Sequence, residues 1–238
     1  MPIKSEYVTL TVSDGSFMQA YTAAPDGKGL YCGLILFQEA FGVNHHIREL
    51  TERFASQGYI VIAPELFHRT APSGFEAAYG DMSAVQQHFQ GISEQTIKAD
   101  ARASWEWLQE HPQIQKGNIA CTGYCLGGRA SFIANTALPL KAAISYYGGR
   151  IAPDLIKRAS ELHAPMLFFW GGLDKHILTE QIALITKGMR EANKPFTNVE
   201  FSDADHGFFC NERPSYNEEA AKEAWALTLA FLENKMIL

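Results

Sequence analysis

The 238-residue chain has four cysteines, at positions 32, 121, 125 and 210, and no two form a C-x-x-C pair. Scattered in this way they spell neither a disulfide framework nor a zinc site. Basic clusters are also missing, and the formal net charge is −6. Neither nucleic acid nor an anionic membrane surface is therefore an expected partner. No apolar run approaches the length needed to span a bilayer, and the opening Met1-Pro-Ile-Lys-Ser-Glu6 passes into polar sequence without a hydrophobic leader core. The expected location is cytoplasmic. Repeats and low-complexity segments are lacking. The paired His45-His46, His111 before a proline, and His163 before a strand show no metal-ligand spacing, so surface or capping roles are expected and no metal or cofactor is implied.

Apolar residues make up 47% of the chain. That share, at this length, fits one large α/β domain over residues 1–238. Its focus is Ile119-Ala-Cys-Thr-Gly-Tyr-Cys-Leu-Gly-Gly-Arg-Ala-Ser-Phe-Ile133. A strand-like run meets a helix-like run, with glycines two residues before and two and three after Cys125. This is the layout of a nucleophile elbow, in which a strained turn lifts the tip side chain above the sheet. The helix that starts there offers free N–H groups and a partial positive charge, which favour a thiolate and then an oxyanion. Cys121, inside the strand, reads instead as a small buried hydrophobe.

Along the chain, Tyr7–Val12 and Met18–Ala23 alternate with period two about Asp14-Gly15, as an antiparallel hairpin does. Gly33–Phe37 and Tyr59–Pro64 are apolar on both faces, and a helix at Ile47, Leu50 and Phe54 separates them. Residues 65–93 lose all periodicity and read either as a lid over a site or as a solvated excursion. Ile97, Ala101, Trp105 and Leu108 mark a helix with the tryptophan in the core. Further strands are expected at Ala142–Tyr147, Met166–Trp170 and Val199–Phe201, with helices at Ile182–Met189 and Ala220–Phe231. Strand-helix alternation throughout implies a doubly wound, mostly parallel sheet with helices on both faces.

In that arrangement the loops carrying Cys125, Asp174 and His206 emerge at one carboxyl edge. The order nucleophile, acid, histidine is that of the α/β-hydrolases. His206 would exchange a proton with Cys125 and the leaving group, while a carboxylate orients its ring. Asp174 fits that role. Asp203 and Asp205 are rivals, but Asp205 adjoins His206 in sequence and neighbours rarely face one another, so Asp174 is preferred.

Five segments together resemble the dienelactone hydrolase family: Gln-Glu-Ala-Phe-Gly-Val-Asn at 38–44, Ala-Pro-Glu-Leu-Phe at 63–67, Gly-Tyr-Cys-Leu-Gly-Gly at 123–128, Gly-Gly-Leu-Asp at 171–174 and His-Gly-Phe at 206–208. The resemblance covers nearly the whole chain. It implies an α/β-hydrolase fold and carboxymethylenebutenolidase-like activity with a Cys125-His206-Asp174 triad. It further implies an oxyanion hole from the N–H groups of Ala40 and Leu126, and a supporting Glu39 that contacts the resting thiol and helps deprotonate it when substrate arrives. The sequence departs from the family where an arginine four residues beyond the histidine reads a substrate carboxylate. Cys210 stands there instead, leaving Arg213 and Arg69 as candidate substrate-binding residues.

A thiolate leaves a tetrahedral intermediate more readily than an alkoxide or amine anion, so the leaving group of the substrate must be a stabilised anion to compete. Lactones and activated (enol) esters meet that condition and amides do not. The expected partner is such a small molecule, with the chain a monomer or small homo-oligomer. Two other classes use Cys125 without ester turnover: a redox protein passing through a sulfenic acid, and a ligand-binding protein on a hydrolase scaffold.

Overall fold

Residues 1–236 are described by the structure, a computed structural model, and they build an eight-stranded sheet in the order β1-β2-β4-β3-β5-β6-β7-β8. β1 (Ile3–Thr11) and β2 (Phe17–Pro25) form the antiparallel hairpin that the period-two alternation predicts, with Leu10 opposite Met18. Gly15 at φ 85 turns the connection. β2 joins the remaining sheet antiparallel to β4 (Tyr59–Pro64). From β4 onward every pairing is parallel, through β3 (Tyr31–Phe37), β5 (Ile114–Tyr124), β6 (Ala143–Tyr146), β7 (Met166–Gly171) and β8 (Phe196–Phe201).

Parallel strands need crossover helices, and these cover both faces. β4 and β7 are buried at all six positions, which is why they read as continuous apolar runs. α1 (His45–Ser56) opens on Asn44, whose side chain accepts from the Ile47 N–H, and turns Ile47, Leu50 and Phe54 inward. α3 (Glu94–Glu110) starts in a capping box of Ser93 and Thr96, and Trp105 packs partly buried on the core. α4 (Leu126–Asn135), α5 (Thr179–Glu191) and α6 (Glu218–Lys235) complete the layers. Among the described residues no helix is long and apolar enough to cross a membrane.

Several strands extend beyond their predicted limits, β5 and β8 among them. β5 begins at Ile114, before a register shift against β3 and a turn at Gly117 with φ 76, so its first half lacks a clean apolar run. β8 begins at Phe196 because the edge strand needs burial on one side only, and its side chains are at most half-buried.

Residues 65–93 include a short helix α2 (Met82–Gln86) and are stitched to the sheet edge. The Glu65 carboxylate accepts the Gly74 N–H, the Ala77 N–H donates to Phe41 O at 3.1 Å, and Gly42 bridges Glu76. Phe41 meets Tyr79 edge-on within a small apolar cluster that includes Ala40 and Val85. The excursion thus covers the loop that follows β3.

Candidate active site

Cys125 sits between β5 and α4 at φ 54, ψ −111, a conformation rare for any residue with a Cβ. Its backbone is locked on both sides: its N–H donates to Tyr146 O at 3.0 Å, and its carbonyl accepts the Gly128 N–H at 3.0 Å. The flanking glycines are required by close approach. A Cβ on Gly127 would lie 2.7 Å from Gln38 O and closer still to Phe37 O, and one on Gly128 would lie 2.6 Å from Tyr146 O. The start of α4 is therefore pressed against the backbone of Phe37 and Gln38, where β3 ends. The Leu126 N–H opens α4 and has no carbonyl a turn behind it to bond.

His206 Nδ1 lies 2.7 Å from Asp174 Oδ2. The other Asp174 oxygen accepts the N–H groups of His176 at 2.7 Å and Ile177 at 3.1 Å, so the loop after β7 holds the carboxylate in place. Burial alone pulls the His206 imidazole down, but hydrogen bonds to Asp174 and Cys125, with the charge on both partners, hold it up at about 10. Burial pushes the Asp174 carboxyl up, and the His206 contact with the two N–H donors more than reverses it, leaving it below the ordinary carboxylate range. The rivals are engaged otherwise. Asp205 accepts the backbone N–H of His206 itself, and Asp203 accepts from Asn217.

Glu39, two residues beyond β3, is fully buried. The resemblance places it on the resting thiol, whereas here Oε1 pairs with Arg213 Nη1 at 3.1 Å and Oε2 has no hydrogen-bond partner. Arg213 is held over Phe41 and Tyr79 and lies so close to Gly207, at φ 78, that any Cβ there would strike the guanidinium. Glycine after the histidine is what lets the arginine reach the carboxylate. Arg69 is not brought to this group. It forks onto the buried Asp100 at 3.0 and 2.8 Å and reaches Asp14 at 2.7 Å, tying the excursion to α3 and the hairpin turn. Burial raises the thiols of Cys32, Cys121 and Cys210 to about 11, 12 and 12, and only Cys125 is partly exposed.

Tyr147 is a part of the site that sequence reasoning missed. It has φ 37, is fully buried, packs on the His206 ring at 5.1 Å, and carries a hydroxyl with no hydrogen-bond partner. In the sequence it is only the last residue of an apolar run before Gly148-Gly149. His176 was also missed, an exposed ring 5.3 Å from that of His206. Among the described residues no group of three His, Cys, Asp or Glu could hold a metal ion.

Sheet order, elbow and carboxyl-edge loops define an α/β-hydrolase. The sequence matches the dienelactone hydrolase family over residues 18–236, and the chain belongs to that family. A relative from Synechocystis, provisionally named carboxymethylenebutenolidase, is 34% identical over 94% of each chain. One from Yersinia pestis with the same name is 32% identical over 91% of this chain and 84% of its own. A Klebsiella pneumoniae crystal structure, provisionally named a dienelactone hydrolase, superposes with a TM-score of 0.90 at 30% identity, covering 98% and 99% of the two chains. A dienelactone hydrolase-like promiscuous phosphotriesterase from metagenomic libraries shares the fold, with a TM-score of 0.86 at 20% identity over 99% of this chain and 100% of its own.

Proposed function

We propose that this hydrolase cleaves lactones or activated (enol) esters through a Cys125 acyl-thioester. The observation that carries the reading is the strained, partly exposed elbow cysteine together with a histidine whose charge responds to it and that Asp174 holds from behind. His206 holds the proton taken from the thiol, and the thiolate sulfur attacks the carbonyl carbon. The N–H groups of Ala40 and Leu126 donate to the developing oxyanion. When the intermediate collapses the C–O bond breaks, the leaving enolate takes the proton from His206, and the acyl group remains as a thioester. His206, now neutral, draws a proton from water as it attacks the thioester. The second intermediate then expels the thiolate with the carboxylic acid product.

Glu39 supports the first step by leaving Arg213 for the thiol when a substrate draws the arginine away. Its unpartnered Oε2 and its single contact to the partly exposed Arg213 suit such an exchange. Arg213 is then the candidate to hold an acid group of the substrate, and Arg69, saturated by Asp100 and Asp14, is left as an anchor of the covering segment. The substrate is a small molecule, and amides are poor substrates because a thiolate leaves before an amine anion does. Hydrolysis of one enol lactone by wild type and Cys125→Ala tests the reading. Turnover is expected to vanish in the variant; equal turnover in both would end it.

A further inference from the structure

Half-buried arginines in this protein hold carboxylates. Arg48 is paired with Glu76, Arg69 with Asp14 and Asp100, Arg158 with Glu94 and Glu161, and Arg213 with Glu39. Arg129 is half-buried as well, yet among the described residues it forms no ion pair, and its Nε is buried without an acceptor. Burial pushes its guanidinium pKa down, and the neighbouring charge that adds to this is another cation, Arg150. A partly desolvated guanidinium beside a like charge is unfavourable unless an anion completes it.

The position is next to the chemistry. Arg129 lies in the first turn of α4, and its N–H donates to the Cys125 carbonyl at 3.3 Å. Gly148 packs against it so tightly that a Cβ there would lie 2.9 Å from Arg129 N. The same short loop runs from Tyr147, on the His206 ring, to the exposed Arg150, held in a left-handed conformation at φ 60. Both cations thus belong to elements that end at the carboxyl edge of β5 and β6. Arg213, by contrast, is already neutralised by Glu39.

We propose that Arg129 and Arg150 form an anion subsite beside the nucleophile elbow, taking a carboxylate or phosphate group. The planar fork of Arg129 suits either group, and α4 adds the positive end of its dipole. The group is carried by the substrate or arrives as a free anion.

Two measurements on the full chain separate these sources. Inorganic phosphate is titrated calorimetrically into wild type, Arg129→Gln, Arg150→Gln and Arg129→Lys. In parallel, kcat/KM is compared for one activated ester with and without a carboxylate substituent. In Arg129→Gln the subsite predicts a loss of about tenfold in phosphate affinity, in the charged-over-neutral ratio of kcat/KM, or in both, with a smaller loss in Arg129→Lys. Loss of phosphate affinity alone assigns the subsite to a free anion, and a fall in the ratio assigns it to a substrate group. Phosphate binding and ratio both unchanged in Arg129→Gln and Arg150→Gln would overturn the proposal. Should Arg129→Gln fail to fold, Arg150→Gln and Arg129→Lys carry the same comparison. The kinetic arm rests on the hydrolase reading; an enzyme that turned over neither ester would end that reading and leave the phosphate arm to decide the subsite.

Discussion

Arg213 Nη1 lies 3.1 Å from Glu39 Oε1, an ion pair between the loop after the candidate catalytic histidine and the loop that follows β3. The Glu39 side chain is fully buried, while the Arg213 side chain keeps 19% of its surface exposed. Such a pair is tolerated because each partner satisfies the other, and removing one leaves an uncompensated charge.

Arg213→Ala is therefore expected to lower stability by about 2 to 3 kcal/mol, with the partial exposure of the arginine reducing the full cost of a broken buried pair. Urea unfolding measures it. Glu39→Gln, which removes the charge but keeps the shape, is expected to lose less. A stable Arg213→Ala beside a crippled Glu39→Gln would show that the carboxylate is held by something else.

The His206 and Asp174 shifts give stability a pH dependence whose sign can be stated. The folded imidazole is raised from 6.5 to about 10. Its contribution is complete below pH 6.5 and fades as pH rises towards 10. The Asp174 carboxyl is lowered from 3.8, so its contribution is present above that value and is lost as pH falls through the lower folded one. In Asp174→Asn the imidazole should titrate nearer its ordinary value, and the alkaline decline in stability should flatten. Histidine ring NMR and urea unfolding between pH 6 and 10 report both; a wild-type His206 titrating near 6.5 would contradict the coupling.

Much of this arrangement was legible in the residues. Period-two alternation about Asp14-Gly15 gave the hairpin, and the all-apolar runs at Gly33–Phe37, Tyr59–Pro64 and Met166–Trp170 gave the buried strands, because parallel strands covered on both faces need no polar side. The elbow could be read because Gly127 and Gly128 touch backbone that no Cβ could approach. Pairing was harder. Nothing in sequence spacing says that Arg213 reaches Glu39 while Arg69 goes to Asp100, since that choice depends on which loops the sheet brings together. Tyr147 was hidden for a related reason: a buried strand-end tyrosine looks like core until its unpaired hydroxyl and its contact with His206 are seen.

That hydroxyl gives a separate test. A buried hydroxyl without a partner is unfavourable, so Tyr147→Phe should keep the stability of wild type or raise it by about 1 kcal/mol. Tyr147→Ala, which also removes the ring from His206, should cost about 3 to 5 kcal/mol. Thermal unfolding compares them. A clear loss in the phenylalanine variant would mean that the hydroxyl is bonded in solution.

Gly127→Ala probes the elbow without touching its chemistry. The new methyl would collide with the backbone at Phe37 and Gln38, neither of which can yield without moving β3. A loss of about 3 kcal/mol or more is expected, together with loss of Cys125 alkylation selectivity over the three buried thiols. Wild-type stability would show that α4 and β3 are less closely pressed than their geometry indicates.

The most direct measurement is the mass of the enzyme during turnover. Wild type is mixed with an activated ester, quenched in acid within the first turnovers, and digested. The proposed mechanism predicts a peptide spanning Cys125 heavier by the acyl group, no such adduct on Cys32, Cys121 or Cys210, and none in Cys125→Ala. Ester hydrolysis that proceeds with no acyl group on Cys125, or that survives in Cys125→Ala, would contradict it.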